Sequence, residues 1–143
     1  MPNVHPILTH FPIVFLTTGL VCDVMSVLLN KTELERAGAW GQLLGALGLA
    51  ATVVSGMFAR VAVEASESAR NAISSHEQVA FVAAALTAFL LLWRTASRLK
   101  LPVNHKSTFL LLSLASVVAL WFGAWLGGEL VYRFGIGVQH LAR

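Results

Sequence analysis

Charged residues are scarce in this chain of 143 residues, and their scarcity excludes an ordinary soluble domain. Asp, Glu, Lys and Arg make up 12% of the sequence, and 57% of it is hydrophobic. Soluble domains carry about 25% charged residues and could not cover so much apolar surface. The composition therefore predicts an integral membrane protein. The basic residues form no run of like charge, so nucleic-acid binding gets no support.

Cysteine is almost absent. The one cysteine, Cys22, lies inside an apolar stretch, which excludes a disulfide within the chain, a zinc-finger spacing and a Cys-x-x-Cys-His site for covalent haem. A metal or haem would need other ligands.

Four apolar segments separated by short polar loops predict four transmembrane helices. Each reaches the roughly 20 residues that cross a bilayer. A serine of the pair at 74–75 is expected to cap the third helix. Pro12 either begins the first helix or kinks it and frees a carbonyl near residue 8. The predicted helices span about residues 7–29, 39–63, 75–97 and 107–133. The sequence therefore predicts one all-α domain over residues 1–143, an integral membrane four-helix up-down bundle.

The loop charges predict an orientation. Six basic residues lie between helices one and two or between helices three and four, and four lie on the opposite side. The first set is Lys31, Arg36, Arg94, Arg98, Lys100 and Lys106, and the second is Arg60, Arg70, Arg133 and Arg143. Short cytoplasmic loops carry an excess of Lys and Arg. Both termini are therefore expected on the periplasmic side of a bacterial inner membrane.

Histidines concentrate at one membrane face in this topology. His5 and His10 open the first crossing, His76 opens the third, and His140 follows the fourth; His105 alone belongs to the other face. Imidazole is the commonest protein ligand of metals and often holds haem iron. The clustering of four imidazoles predicts that function resides at this face.

His10 and His76 are the favoured pair of ligands. They come from helices that lie diagonally across a four-helix bundle, so they could clamp a haem iron from two sides. Below His76 the third helix carries small residues at helical spacing, and Gly56 lies near the same depth, which would leave room for a macrocycle. The alternative is that both histidines bond loop carbonyls and that the small residues only pack helices.

The other histidines rank lower. His5 is a second-tier metal ligand or a proton-active neighbour, since on a regular helix it would point roughly 140° away from His10. His140 is expected in a solvent-exposed tail, and His105 in a loop.

Three arginines near this face are candidate partners for haem propionates: Arg60, Arg70 and Arg133. Arginine binds carboxylates through bidentate hydrogen bonds. Each could equally pair with lipid phosphate or with a nearby acid, of which there are four: Glu64, Glu67, Glu77 and Glu129.

Asp23 is the one acid well inside a crossing. An unpaired charge there costs roughly 2.5–3.5 kcal/mol, so a partner is expected, either Gln42 or an arginine in the region 94–98. A structural hydrogen bond is favoured over proton transfer. Among the tryptophans, Trp121 lies deep enough to pack in the core, and the others are expected at the membrane interfaces.

The end of the fourth helix is rich in glycine, from Gly127 to Gly137. Glycine permits positive φ angles and close backbone approach. We expect this segment to fold over the mouth of the bundle and to bring Tyr132 and Arg133 beside a cofactor. A flexible tail is the alternative.

Two motifs resemble those of a family of small bacterial membrane proteins catalogued as a domain of unknown function. They are HPILTHFPI, which begins at His5, and GGELVYRFGIGV, which begins at Gly127. The family pattern also has an acid later in the first helix and a histidine that opens the third, here Asp23 and His76. The resemblance covers nearly the whole chain. It implies a four-helix membrane domain, and such members can occur joined to cytochrome c or Rieske-type domains.

These features together favour an electron-transfer protein over a stand-alone enzyme, with haem b as its cofactor. Membrane lipid surrounds such a protein, and a quinone or a periplasmic redox protein such as cytochrome c is the expected electron partner. A homo-oligomer is left open. The rival functions are a copper- or zinc-binding histidine site and a cofactor-free structural or interaction module.

Overall fold

A computed structural model of the chain describes residues 5–61 and 66–137. Those residues form helices and connecting turns and contain no strand. The helices are α1 (His5–Leu8), α2 (His10–Leu29), α3 (Thr32–Val61), α4 (Glu67–Ala96) and α5 (Lys106–Phe134), with a 3₁₀ turn at Val103–His105 before α5. Four segments are long and apolar enough to cross a membrane: α1 with α2, then α3, α4 and α5. The predicted all-α fold with four membrane-spanning segments is confirmed.

The helices pack as two hairpins. The first hairpin is α1–α3 and the second is α4–α5, and contacts within each hairpin outnumber those between them. Helix α2 also touches α5, and α3 touches α4, so that α2 and α4 lie diagonally across the bundle. The first and third crossings therefore have the diagonal relation that the sequence predicted.

Small residues bring α2 and α3 together. A methyl group added to Gly41 would lie 2.8 Å from the Cα atom of Gly19, and one added to Gly19 would lie 3.2 Å from the backbone nitrogen of Gln42. Real side chains do not fit at such distances, so the two backbones are in direct contact. These glycines pack helices, as small residues commonly do in membranes.

Pro12 explains why the first crossing is divided. Proline has no N–H group, so the carbonyl of Leu8, four residues earlier, has no helical donor. The helix is interrupted at Thr9, and the Thr52 hydroxyl of α3 shares its proton between the Leu8 carbonyl at 3.1 Å and the Gly48 carbonyl of its own helix at 2.9 Å. Pro12 thus lies in the first turn of α2 and also frees a carbonyl, which a neighbouring helix satisfies.

The predicted boundaries of the second and third helices were wrong. Helix α3 begins at Thr32 rather than near residue 39, and α4 begins at Glu67 rather than near residue 75. The N-cap of α4 is Ser66, whose side chain accepts from the Ala69 N–H at 3.4 Å, and not a serine at 74–75. Hydropathy marks the apolar part of a helix, whereas the backbone continues into polar sequence as long as its hydrogen bonds are satisfied. The predicted end at residue 63 lies outside the described residues.

Large apolar side chains cover the outside of the bundle. Phe58, Leu92 and Leu111 are each about two-thirds exposed or more, at 74%, 69% and 67%. Such a surface suits lipid, not water. Trp121 belongs to it: the residue is 55% exposed, and its Nε1 donates to the Thr17 hydroxyl at 3.1 Å. Its predicted place in the core was wrong, because its indole lies over the outer face of α2 and finds its hydrogen bond there.

A buried ion pair joins the two hairpins at the end opposite to α1. Arg94 is 0% exposed and Asp23 3%, and the guanidinium donates to both carboxylate oxygens, at 2.6 and 2.8 Å. Arg94 also donates to the side-chain oxygen of Gln42 at 3.3 Å and to the backbone oxygen of Glu35 at 2.9 Å. The expected arginine partner of Asp23 is confirmed, whereas Gln42, the other candidate, accepts from Arg94. Bidentate geometry with further acceptors is what allows a charge pair to be buried.

The apolar core has two parts. One lies beside the ion pair and contains Leu90, Leu101 and Phe109. The central cluster lies nearer to α1 and comprises Leu16, Leu49, Ala83, Val117 and Leu120. Beyond the central cluster, towards α1, the packing opens into a cavity.

Candidate functional site: a histidine-lined cavity

The cavity has a volume of about 510 Å³ and lies between the two hairpins at the end where α1 begins. Its walls are mostly apolar and include many glycines and alanines. Three histidines line it: His5, His10 and His76. The sequence had predicted that these three histidines lie at one face of the membrane, and the structure places them around one cavity.

His76 reaches the cavity from α4. Its Nδ1 lies 2.9 Å from the backbone oxygen of Gly123 on α5. A carbonyl only accepts, so Nδ1 carries the proton, and in the neutral ring the lone pair is on Nε2. The ring rests against Gly127, where an added methyl would lie 3.3 Å from its Cε1. Both neighbours on α5 thus fix the orientation of the imidazole.

His5 reaches the cavity from α1, on the other hairpin. Its Nδ1 lies 2.9 Å from the hydroxyl oxygen of Ser55, and that hydroxyl donates to the Thr52 carbonyl at 2.9 Å. When the hydroxyl donates to that carbonyl, its oxygen accepts from Nδ1, and in that tautomer of the neutral ring the lone pair is on Nε2. A methyl group on Gly56 would lie 3.0 Å from Cε1 of His5. Gly56 makes room for this imidazole.

The imidazole rings of His5, on the first hairpin, and of His76, on the second, are in contact. Their centroids are 6.5 Å apart, and the ring planes are nearly perpendicular at 87°. The pair couples α1 to α4 at the cavity end of the bundle. The sequence had ranked His5 second, yet His5 is the histidine in ring contact with His76.

His10 also lines the cavity but is exposed. Its Nδ1 lies 2.9 Å from the Pro6 carbonyl, one turn earlier in the chain. This bond ties the imidazole to α1 instead of to another helix. The ring contact with His76 is made by His5, and the predicted ligation of one iron by His10 and His76 stays a prediction.

An ion pair crosses the rim of the cavity. Arg60 of α3 donates to Glu77 of α4 at 2.5 Å, and the side chains are 61% and 23% exposed. Both residues line the cavity. Glu77 was one of the acids expected as an alternative partner for Arg60. Since the pair is largely exposed, it contributes little to stability, and Arg60 could exchange its partner at low cost.

The remaining candidates lie at the edge or elsewhere. Tyr132 borders the cavity but is 91% exposed. Arg133 donates to Glu129 at 3.4 Å, on its own helix, and its guanidinium lies over the Phe134 ring. Arg70 is exposed on α4 and does not line the cavity. Of the three arginines proposed for carboxylate binding, only Arg60 has a side chain at the cavity.

The glycine-rich end of α5 turns back as far as the structure describes it. Gly135 adopts a left-handed conformation (φ 64°), and the Ile136 N–H bonds the Leu130 carbonyl at 3.0 Å. This glycine-ended cap closes the helix and brings Ile136 into the cavity wall. Residues from Val138 onward, His140 among them, lie outside the described residues, so a cover formed by the tail stays a prediction.

His105 lies far from this site. It ends the 3₁₀ turn before α5, and its ring centroid is 6.1 Å from that of Trp93. The structure thus agrees with its predicted place in a loop at the opposite end.

Sequence reasoning missed the residues that hold the histidines in place: Ser55, Thr52, and the backbone at Gly123 and Gly127. No motif marks a backbone carbonyl. A weaker signal was available, since Thr52, Ser55 and Gly56 follow one another at helical spacing, and small polar side chains in an apolar helix usually hydrogen-bond across to a neighbour.

Among the described residues, no group of three or more His, Cys, Asp or Glu side chains is arranged to hold a metal ion. A structural or catalytic zinc site takes three or four protein ligands. The two histidines in contact fit a metal centre that takes only two protein ligands.

A family model described as "Predicted membrane protein (DUF2231)" matches residues 1–140. The chain belongs to this family. Neither a curated protein nor a solved structure matches it. The resemblance seen in the two end motifs is therefore confirmed over nearly the full length.

For this DUF2231 member, the match spans every residue described above. It includes the three cavity histidines and the Asp23–Arg94 pair, and its description assigns no activity to any of them. What the protein does must be argued from the cavity itself.

Proposed function

We propose that the cavity binds b-type haem and that the protein carries electrons in the bacterial inner membrane. One observation carries the proposal. His5 and His76 come from different hairpins, both have Nδ1 2.9 Å from an oxygen that can accept its proton, and both line the same apolar cavity. A ligating imidazole almost always donates its other N–H to a carbonyl, carboxylate or water. The two rings already have that arrangement.

The separation of the rings fits one metal between them. An imidazole nitrogen lies about 2 Å from the metal it binds, so two such ligands on opposite sides of one iron have ring centres roughly 6 Å apart. The observed distance between the ring centroids is 6.5 Å. This spacing favours His5 and His76 as the pair, in place of His10 and His76.

The walls fit a large apolar ligand. Pockets that bury organic ligands have volumes of about 300–1,000 Å³ and are mostly apolar, and this one has about 510 Å³. Small residues such as Ala80 and Gly128 form part of its surface. Arg60 at the rim suits a propionate, to which it would turn from Glu77.

Two imidazole ligands leave no coordination position for a substrate, which favours electron transfer over catalysis at the metal. Bound haem would supply reversible one-electron chemistry. A quinone in the membrane or a periplasmic redox protein such as cytochrome c would exchange electrons with it. The excess of basic residues in the opposite loops supports a periplasmic position for the cavity.

Copper or zinc binding is the second candidate. It is less well supported, because the described residues offer only a histidine pair in direct contact and no group of three ligands. A structural module without cofactor would account for the Nδ1 hydrogen bonds, which join helices, but not for the apolar cavity of about 510 Å³ beside them.

An absorption spectrum tests the proposal. The protein would be produced with added haem precursor and purified in detergent, and an intense Soret band with the bands of a six-coordinate, low-spin haem is expected. His5→Ala and His76→Ala should each abolish or radically change that spectrum. His105→Ala is the matched control and should leave it unchanged.

Three results would contradict the proposal or its ligands. A purified protein that takes up no haem, whether produced in cells or reconstituted, would rule out the function. Stoichiometric copper or zinc without haem would favour the second candidate. Haem lost in His10→Ala but retained in His5→Ala would return the ligand role to His10.

A further inference from the structure

A second, much smaller cavity lies between the hairpins on the other side of the central apolar cluster. Its volume is about 20 Å³. Unlike the histidine cavity, it has a concentration of polar side chains in its wall, contributed by all four long helices. They are Asp23, Gln42, Thr87, Ser113 and Ser116.

The central cluster separates the two cavities. Leu16 and Val117 border the small one, whereas Leu49, Ala83 and Leu120 border the histidine cavity. The small cavity is therefore a site of its own, independent of the proposed function.

The size of the small cavity suits a single water molecule. A cavity needs roughly 10–15 Å³ of probe-occupied volume to hold one water, and the water needs two to four polar partners. The wall offers that number. An apolar void of this size would stay dry, but half of the residues that line this one carry polar side chains.

The donors and acceptors in the wall are complementary to water. Gln42 uses its side-chain oxygen to accept from Arg94, which leaves its NH₂ group to donate. Thr87 and Ser116 share one hydrogen bond of 2.9 Å, and the Ser116 hydroxyl also lies 3.5 Å from the Ala83 carbonyl. If Ser116 donates to that carbonyl, Thr87 donates to Ser116, and the Thr87 oxygen has lone pairs for another donor.

We propose that one buried water molecule occupies this cavity, accepts from the Gln42 amide and donates to the Thr87 hydroxyl and the Asp23 carboxylate. Three hydrogen bonds are the usual number for a buried water. The water connects the first hairpin, through Asp23 and Gln42, to the second, through Thr87. The water thereby connects the Asp23–Arg94 ion pair to Thr87 by hydrogen bonds.

A cation is the competing occupant, since a carboxylate and hydroxyl groups could coordinate one. The guanidinium of Arg94 opposes this, because it already neutralises Asp23 through two hydrogen bonds, at 2.6 and 2.8 Å. A second positive charge beside it would be repelled at short range in a medium of low dielectric constant. The charge balance therefore favours a neutral ligand.

Nuclear magnetic resonance can detect such a water. In isotope-labelled protein in detergent micelles, we expect a cross-peak between water and the side-chain amide protons of Gln42, with the sign of a long-lived complex. Gln78 is the matched control, since it is exposed on α4 and should meet only short-lived water. Adding sodium or potassium chloride should leave the Gln42 cross-peak unchanged.

Two substitutions sharpen the test. Val117→Ile adds a methyl group at the cavity wall and should remove the Gln42 cross-peak, whereas Val118→Ile, 58% exposed in the wild type, should retain it. Thr87→Val keeps the shape but removes one hydrogen-bond partner and should weaken the cross-peak. If Val117→Ile does not fold, Thr87→Val still provides the comparison.

The absence of a water cross-peak at Gln42 in the folded wild-type protein would overturn the proposal. So would a cross-peak that persists unchanged in both Val117→Ile and Thr87→Val. A cross-peak that disappears on addition of sodium or potassium would identify a cation as the occupant.

Discussion

Replacing Asp23 by Asn should destabilise the bundle by about 3–5 kcal/mol, the typical effect of removing one partner from a buried ion pair. The structure explains why the upper part of that range is expected. Arg94 is 0% exposed, so its charge cannot turn to water. The substitution replaces a charged acceptor of two short hydrogen bonds by a neutral amide with one acceptor oxygen.

Arg94→Met should cost at least as much as Asp23→Asn. The carboxyl group left behind can bind a proton and become neutral, but at pH 7 that protonation costs roughly 4 kcal/mol, since it takes about 1.4 kcal/mol for each pH unit above the usual pKa of an aspartate. Gln42 and the Glu35 carbonyl would each lose a donor, at about 1 kcal/mol per hydrogen bond.

The double variant decides whether the pair acts as a unit. Each single substitution leaves the other partner buried without its counter-charge. The double substitution should therefore lower the free energy of unfolding by at least about 2 kcal/mol less than the sum of the two single effects. Free energies of unfolding would be measured in mixed detergent micelles by titration with sodium dodecyl sulfate, followed by helical circular dichroism. Glu129→Gln is the control: its partner Arg133 is 71% exposed, and an exposed pair should contribute less than about 1 kcal/mol.

The reasoning would be refuted by additive single and double effects. An Asp23→Asn protein within about 1 kcal/mol of the wild type would also refute it, because a guanidinium without a counter-charge in a dry interior must be costly. Equal effects of Asp23→Asn and Glu129→Gln would mean that the burial of the pair has no energetic consequence.

Two further predictions concern the orientation and the cavity wall. Cysteines introduced at Lys31 or Lys106, in a background without the native cysteine, should react with membrane-impermeant reagents only after the cell is opened; labelling in intact spheroplasts would reverse the orientation. Gly127→Ala should shift the ¹⁵N resonances of the His76 ring, because the new methyl would lie 3.3 Å from its Cε1. Gly128→Ala, which has no atom within 4 Å of the added methyl, should leave them in place, and equal shifts in both variants would contradict the described position of the ring.

The number of crossings could be predicted from the sequence because it depends on long apolar segments alone. A membrane-spanning helix satisfies its own backbone, so hydropathy over about 20 residues is sufficient evidence. The ends were less predictable. Ser66 caps α4 from within a polar stretch. Residues 32–38 are helical although four of the seven are polar or charged. Neither helix start can be recognised from the hydropathy of the sequence.

The choice between His5 and His10 needed the structure. Thr9 keeps helical dihedrals between α1 and α2 (φ −62°, ψ −26°), so positions five apart still point roughly 140° away from each other. That angle shows that His5 and His10 point differently, but not which of them meets the third crossing. The choice depends on how the first crossing is rotated against α4, which is a contact between distant parts of the chain.

The partner of Asp23 was predictable as a class and not as a residue. The cost of a buried charge required a counter-charge or a hydrogen-bond donor; Arg94 is that partner, and Gln42 accepts from Arg94. Arg98 was an equal candidate by position. It lies beyond the end of α4 with a positive φ of 58°, and no local sequence rule distinguishes it from Arg94.

The ion pair and the histidine pair occupy opposite ends of long helices, and this connects stability to the proposed site. On α4, Arg94 and His76 are 18 residues apart, which is about 27 Å along a helix axis. A change in tilt of roughly 2° about Arg94 therefore displaces His76 by about 1 Å, and a displacement of 1 Å is enough to disturb a ligand site. His5 and His76 belong to different hairpins, whose relative position at the far end is fixed by Asp23 and Arg94. We therefore expect the buried pair, together with the central apolar cluster, to contribute to the spacing of the hairpins at which the histidine rings lie 6.5 Å apart.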